Sequence, residues 1–316
     1  MEVFQTVERE RITHLRERDE FFWLDLCDAA PEELEALGEA LGIHPVALED
    51  TREFGQRPKL DAYGDHVLLV FYTVRRAENR RERLFEPVEI HIYISGSFVV
   101  TVHREACGEL SELHEGLVPE ETHAEDYLVY RLLDALTDAY YPALEMVEGR
   151  IDALEGEVLA RPIQEHLGQI YRLKQEVHEL ARRITPQRDR FQSGSEIILG
   201  LPGLTRGSRE YLRDIGDHLA QISGELARQQ DDLMALTSTY FNANANRLNG
   251  MATRLTVVAT LFFVWTLVTS FFGQNFGWLV DNIDTRSDFL LYGLGGLAVP
   301  TVLLGVLFYV KREDWF

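Results

Sequence analysis

The chain has 316 residues, a formal net charge of −21 at pH 7, 46% apolar residues and two cysteines. So acidic a protein repels nucleic acid and anionic lipid head groups, which leaves cations as its natural charged partners, although acidic surfaces also keep proteins soluble. Cys27 and Cys107 form no CxxC pair, which excludes a zinc knuckle or redox motif and leaves two buried thiols in a reducing compartment as the expectation.

In chain order, residues 1–120 mix strand and helix patterns. Phe21 to Leu26, Val67 to Arg75, Val88 to Ile94 and Phe98 to Val102 are short, β-branched or aromatic, and bounded by turn residues, with a tight hairpin expected at Ile94 to Phe98. Pro31 opens a helix, with acids in the first turn where the helix dipole favours them. This part reads as a cytosolic α/β domain. It holds no Walker loop, no G-x-G-x-x-G and no G-x-S-x-G, the ten histidines show no metal-ligand spacing, and an enzyme is not expected. The Gly/Pro stretch Leu201 to Gly207 reads as a loop.

From Glu125 the strand signals stop. Residues 121–207 read as helices punctuated by Pro162, Pro186 and the loop around Pro202. The proline-free stretch Ser208 to Phe272 reads as one helix about 98 Å long. Its first part, 208–254, keeps a 3-4 spacing through Leu212, Ile215, Leu219, Ile222, Leu226, Leu233, Leu236 and Tyr240, broken by Gln229, so neighbouring helices should pack along it.

Two uncharged apolar runs follow, 255–272 and 289–310, each of about 20 residues and long enough to cross a bilayer. The segment 273–288 between them reads as an external polar loop, and 311–316 as a tail that starts basic. Arg247 and Arg254 before the first run, and Lys311 and Arg312 after the second, put both termini in the cytoplasm of a multi-pass protein of the cell (inner) membrane. The acidic start of the chain lacks the apolar core of a cleavable signal, so residues 1–250, with 27 basic against 47 acidic side chains, are expected to stay in the cytosol. Through the first run and its flanks, positions 249, 252, 256, 259, 263, 266, 270 and 273 hold Asn249, Ala252, Thr256, Ala259, Phe263, Thr266, Ser270 and Gly273. Such a small, mildly polar face belongs against another helix or a water-filled path rather than lipid. Two membrane helices cannot enclose water, so a pore would need several copies around this face.

Three stretches in order carry a family resemblance: Gly42 to Asp50 (GIHPVALED) with Gln56 to Lys59 (QRPK), Tyr211 to His218 (YLRDIGDH), and the gap-free stretch Asn249 to Phe276. With the two-helix C-terminus they make the chain resemble the CorA family of divalent-cation channels from end to end. The resemblance implies a funnel-shaped homopentamer: a cytosolic α/β domain with a mixed sheet, a long helical stalk, and two C-terminal transmembrane helices, the first lining the pore. It also implies regulatory Mg²⁺ between subunits, held by Asp50 and Asp214, with a second site at Glu49 and Asp134, the ring closed when cytosolic Mg²⁺ is abundant. Carboxylate oxygens suit such a hard cation. Mg²⁺ is then both regulator and cargo, no organic cofactor is implied, and the partners are divalent ions, the bilayer and further copies of the chain.

At the pore mouth the family's Gly-Met-Asn becomes Gly273, Gln274 and Asn275. Asn275 keeps the ring of amide acceptors that can recognise hydrated Mg²⁺ without stripping its water. Gln274 puts an amide where the family has a thioether. Leu255 matches a residue of the family's hydrophobic gate, Ala252 and Phe263 replace bulky methionines, and Val264 replaces a proline, which implies a straighter helix. Asp281 and Asp284 could attract cations outside, or be ordinary loop acids. The leading function is uptake of Mg²⁺, with Co²⁺ or Ni²⁺ as further substrates. The alternatives are a Zn²⁺ transporter of the ZntB-like branch, which also varies the middle residue, and a non-conducting membrane-anchored cation sensor.

Overall fold

The computed structural model describes residues 2–79, 83–116, 125–202, 208–274, 277–283 and 285–310. Its elements are β1 (Glu2–Phe4), α1 (Arg9–Glu17), β2 (Phe22–Cys27), α2 (Pro31–Leu41), α3 (Pro45–Glu53), β3 (Lys59–Tyr63), β4 (His66–Arg76), β5 (Phe85–Ser95), β6 (Phe98–His103) and α4 (Gly108–Gly116), then α5 (Glu125–Asp138), α6 (Tyr140–Ala160), α7 (Gln164–Leu199), α8 (Ser208–Phe272), α9 (Gly277–Asn282), α10 (Arg286–Asp288), a π-helical turn (Phe289–Leu294) and α11 (Gly295–Val310). They form two compact units: residues 1–160 with 164–237, and residues 161–163 with 238–316.

In the first unit the six strands make one mixed sheet in the order β1-β2-β6-β5-β4-β3. The pairs β1·β2 and β2·β6 are parallel, and the other three are antiparallel. The expected hairpin is there, with Ser95 and Phe98 flanking a two-residue turn and Ile94 paired to Val99. Both faces of the sheet are covered, which is why β4 is buried at its first nine positions and reads as an almost unbroken apolar run. One face packs with α1 to α3 through Phe22, Leu24, Leu37, Leu41, Leu68, Val70 and Val100. The other receives α5 to α7, and Thr73 Oγ1 of β4 donates to the Leu136 carbonyl of α5 (2.8 Å).

The long stripe of α8 is buried as its spacing demands, from Leu212 (4% exposed) to Leu236 (3%) and Tyr240 (6%). Gln229, the one polar interruption, is fully buried; its Nε2 donates to the Leu144 carbonyl of α6 (2.9 Å), while its Oε1 has no hydrogen-bond partner.

Three expectations need correction. Pro186 does not end a helix but lies inside α7, a 36-residue element. Proline removes one helical hydrogen bond at a cost of about 3 kcal/mol. Burial of Ile170, Leu173, Val177, Leu180, Ile184, Phe191 and Ile198 along one face of α7 outweighs that loss. Cys27, at the end of β2, is exposed, whereas Cys107 is buried. Burial pushes both thiols up, Cys107 far more. The segment 273–288 is not wholly loop, since α9 and α10 lie within it. The second apolar run is helical as expected, its first six residues wound as a π-helical turn.

Beside Cys27, a buried polar chain joins β2 to β6. Trp23 Nε1 donates to Thr101 Oγ1 (3.0 Å), which donates to Asp25 Oδ1 (2.5 Å), and His103 Nε2 lies 3.1 Å from the same oxygen. His103 Nδ1 faces the Glu105 carbonyl at 2.6 Å. Both ring nitrogens therefore meet acceptors, which requires an imidazolium. Burial alone would lower the imidazole, but the hydrogen bond and charge of Asp25 outweigh it, and the pKa is raised above 6.5. A raised histidine stabilises the fold fully below its unfolded pKa, and that contribution is lost as pH rises through the folded value. The stability gap between wild type and His103→Gln is expected to be widest near pH 6 and to shrink as pH rises. Thermal midpoints across that range check it, and a pH-independent gap would contradict the charged pair.

Candidate metal sites and the membrane segment

Asp134 and Asp138 stand four residues apart on α5, and Asp214 and His218 four apart on α8, so each pair shares a helix face. The two faces meet. Tyr130 stacks on Tyr211 (4.7 Å between ring centroids), and Tyr130 Oη donates to Asp214 Oδ2 (3.2 Å). His218 sits between carboxylates, its Nδ1 3.8 Å from Asp134 Oδ1 and its Nε2 3.8 Å from Asp214 Oδ1. One ligand atom from each of Asp134, Asp138 and His218 lies within 4.8 Å of the others. Both histidine contacts are too long for direct hydrogen bonds, and His218 Nδ1 is buried without a hydrogen-bond partner.

The electrostatics record crowding of negative charge. Burial, then the charges of Asp138 and Asp214, push the Asp134 carboxyl up despite His218 nearby. Burial together with Asp134 and Asp214 pushes the Tyr130 hydroxyl up to about 12. A divalent cation would relieve this repulsion, and the donor set of carboxylate oxygens with an imidazole fits one. Asp138 and His218 were missed as candidate ligands because the donors come from two helices far apart in sequence; the (i, i+4) pairs Asp134 with Asp138 and Asp214 with His218 were the only local signals.

Asp50 and Glu49 lie on α3. Pro45 opens this helix and His44 Nδ1 accepts from the Val46 N–H (3.3 Å). Gly38 on α2 has no side chain because a Cβ there would collide with Leu48 of α3. At its C-terminus the chain turns through Phe54 (φ 46°) and Gly55 (φ 77°), and Glu89 accepts from the N–H groups of Gly55 (2.6 Å) and Gln56 (2.9 Å). Strand alternation puts Glu89, His91 and Tyr93 of β5 on one face. His91 Nε2 meets Glu89 (2.8 Å), and Thr51 Oγ1 of α3 meets His91 Nδ1 (2.9 Å) and Tyr93 Oη (2.6 Å). Burial would raise the Glu89 carboxyl, but hydrogen bonds from His91, Tyr72 and the Gln56 N–H hold it below the usual range. The helix that carries Asp50 is thus bolted to the sheet by a buried polar network.

Asp50 is half-buried, Glu49 is exposed, and the Asp50 partner is Lys59, whose Nζ lies 2.5 Å from Oδ2. Within one chain the structure joins Asp134 to Asp214.

In the second unit two helices are long and apolar enough to cross a membrane, ending at Phe272 and Val310. Trp265 Nε1 of α8 donates to Thr301 Oγ1 of α11 (2.8 Å), and Gly296 lets α11 approach Val268 and Phe272. In this segment Val257, Thr260, Val264, Val268 and Phe272 are partly buried, whereas Asn249, Ala252, Thr256, Ala259, Phe263, Thr266, Ser270 and Gly273 are all exposed. Those sets lie roughly 140° apart around a helix of 3.6 residues per turn. Leu255 is also exposed. The hydroxyls of Thr256 and Thr266 donate to the carbonyls of Ala252 (2.9 Å) and Phe262 (2.8 Å). Helix α8 runs unbroken through Val264. The Gly273 N–H donates to the Thr269 carbonyl (2.9 Å), Gln274 and Asp281 are exposed, and Asn275 and Asp284 lie outside the described residues.

The chain is 28% identical to the cobalt/magnesium transport protein CorA of Thermotoga maritima, over 99% of this chain and 88% of that one. It is 25% identical to the zinc transport protein ZntB of Yersinia enterocolitica, over 93% of this chain and 87% of that one. The CorA magnesium transporter structure from Methanocaldococcus jannaschii superposes with a TM-score of 0.72 at 22% identity, covering 93% of this chain and 91% of that one. The family model for CorA-like Mg²⁺ transporter proteins matches residues 18–312, so the chain belongs to the CorA-like Mg²⁺ transporter family.

Proposed function

We propose that the protein is a homopentameric channel for divalent-cation uptake, with Mg²⁺ as first substrate and Co²⁺ or Ni²⁺ as further ones, set in the cell membrane with both termini cytoplasmic. The observation that carries this reading is the exposed stripe Asn249 to Gly273, which α11 leaves uncovered on the far side of its own contact with α8. Small and hydroxyl-bearing residues gain little from lipid, so such a face suits a shared axis. The Thr256 and Thr266 donors are spent on their own helix, which leaves their oxygens free to accept. Hydroxyl and amide oxygens along such a path can accept from the water around a cation.

Asn275 would crown that path with amide oxygens, Phe263 and Leu255 would narrow it, and Asp281 and Asp284 would raise the cation concentration outside. Asp50 with Asp214, and Glu49 with Asp134, would hold regulatory Mg²⁺ between neighbours and keep the ring closed. The negative interior of the cell supplies about 2.3 kcal/mol per charge per 100 mV for uptake. The segments 1–120, 121–207 and 208–254 would then serve as sensor and stalk, and 255–272, 273–288 and 289–310 as pore helix, mouth and outer ring.

A Zn²⁺ transporter of the ZntB type is the second reading. His218 favours it, because an imidazole beside carboxylates suits borderline transition ions better than Mg²⁺. Competitive uptake of Mg²⁺, Co²⁺ and Zn²⁺ into liposomes, with wild type beside Asn275→Ala, tests both. Mg²⁺ flux that falls at least about tenfold in the variant is expected, since the hydrated ion loses its acceptor ring. Proton-dependent Zn²⁺ flux would favour the second reading, and untouched transport in Asn275→Ala would misplace the filter.

A further inference from the structure

Asp50 already holds a cation. Lys59 Nζ lies 2.5 Å from Asp50 Oδ2 and 3.5 Å from Asp61 Oδ2, and the Asp50 and Lys59 side chains are only 19% and 25% exposed. The ammonium is delivered by the fold: Glu89 pins the turn at Gly55 and Gln56, and Lys59 opens β3 in register with Val70 of β4. Asp61 stands two residues on along β3, and its carboxylate is more open (45% exposed).

We infer that Lys59 is a tethered competitor that occupies the Asp50 carboxylate in the absence of metal and sets the divalent-cation concentration at which that site fills. This rests on the proposed role of Asp50 as a metal ligand and adds what opposes the metal there. An ion arriving at Asp50 meets a carboxylate whose charge is already neutralised by a group that cannot diffuse away. To bind, it must drive the ammonium off, and Asp61 gives Lys59 a second seat within a short swing of its flexible stem. The pair is therefore a two-position latch: Lys59 on Asp50 without metal, and on Asp61 with it. Metal-free subunits also avoid an uncompensated half-buried carboxylate. The site then answers to a higher metal concentration than the bare carboxylate would.

Limited proteolysis of the full-length protein in detergent, across a Mg²⁺ series, reads the concentration of half-protection. Lys59→Met is expected to lower that concentration about tenfold, because the metal no longer displaces a charge-assisted pair. Asp61→Asn, which removes the second seat, is expected to raise it about threefold, and Lys59→Arg to leave it at or above the wild-type value. Asp50→Ala is expected to weaken protection strongly. If Asp50→Ala weakens protection while Lys59→Met and wild type coincide, the latch is wrong and the metal site stands. If Asp50→Ala and Lys59→Met both match wild type, the metal site itself is wrong and the latch goes with it. Should Lys59→Met not fold, Asp61→Asn decides: an unchanged concentration overturns the latch.

Discussion

Thr266→Lys is expected to cut divalent-cation uptake by at least about a hundredfold, with membrane insertion and assembly retained. Thr266 lies on the exposed stripe of α8, and its hydroxyl donates to the Phe262 carbonyl (2.8 Å). In the proposed pentamer the substitution sets five ammonium groups around the axis. One unit charge roughly 8 Å from a divalent ion costs about 4 kcal/mol at an effective dielectric of about 20. Since about 1.4 kcal/mol is a factor of ten, even one such charge exceeds a hundredfold. Val258, on the other side of the helix and 49% exposed, provides the comparison. Val258→Ala is expected to stay within about twofold of wild type, because a lipid-facing methyl group has no part in conduction. Uptake of Mg²⁺ into liposomes reconstituted with equal amounts of each variant measures both. Equal flux in Thr266→Lys and wild type would put the stripe away from the ion path.

The second large effect is structural. Gln187→Leu is expected to destabilise the sheet around Tyr72 by about 2 kcal/mol, because it orphans a buried backbone donor. Strand β3 covers β4 only as far as Val70, and Tyr72 faces the edge beyond with no strand to bond. Gln187, from α7, takes the place of the missing strand: its Oε1 accepts from the Tyr72 N–H (2.6 Å) and its Nε2 donates to the Tyr72 carbonyl (3.1 Å). Tyr140 Oη donates to the same carbonyl (3.0 Å), so in the variant the N–H suffers most. Gln187 is only 2% exposed, and water cannot readily replace it. Amide hydrogen exchange at Tyr72 is expected to quicken about thirtyfold, which corresponds to that free energy. Unchanged exchange would mean that another acceptor serves the N–H.

Gln187 is also a measure of what the sequence hides. It follows Pro186 in a stretch that reads as a helix end, yet α7 passes straight through and carries Gln187 to the sheet edge. Local rules predict the break; the distant β4 edge and the apolar face of α7 reward continuity. The same asymmetry separates the two kinds of candidate residue. The transmembrane stripe is legible because residues three and four apart share a helix face wherever the helix goes. The cluster of Asp134, Asp138, Asp214 and His218 is not, because it needs α5 and α8 side by side. Lys59 reads only as the end of a motif, and its hold on Asp50 depends on the turn at Phe54 and Gly55.

By itself the sequence determined four of the strands, β2, β4, β5 and β6, the helix opened by Pro31, the buried stripe from Leu212 to Tyr240, two apolar helices and their small-residue face, since each is a pattern within one segment. Only the tertiary structure decided that Pro186 is tolerated, that Gln229 and Gln187 are bonded in the interior, that Cys27 is exposed, and which carboxylates stand together. Each of these turns on a contact between segments distant along the chain, where packing and hydrogen bonding outweigh the local preference of a residue.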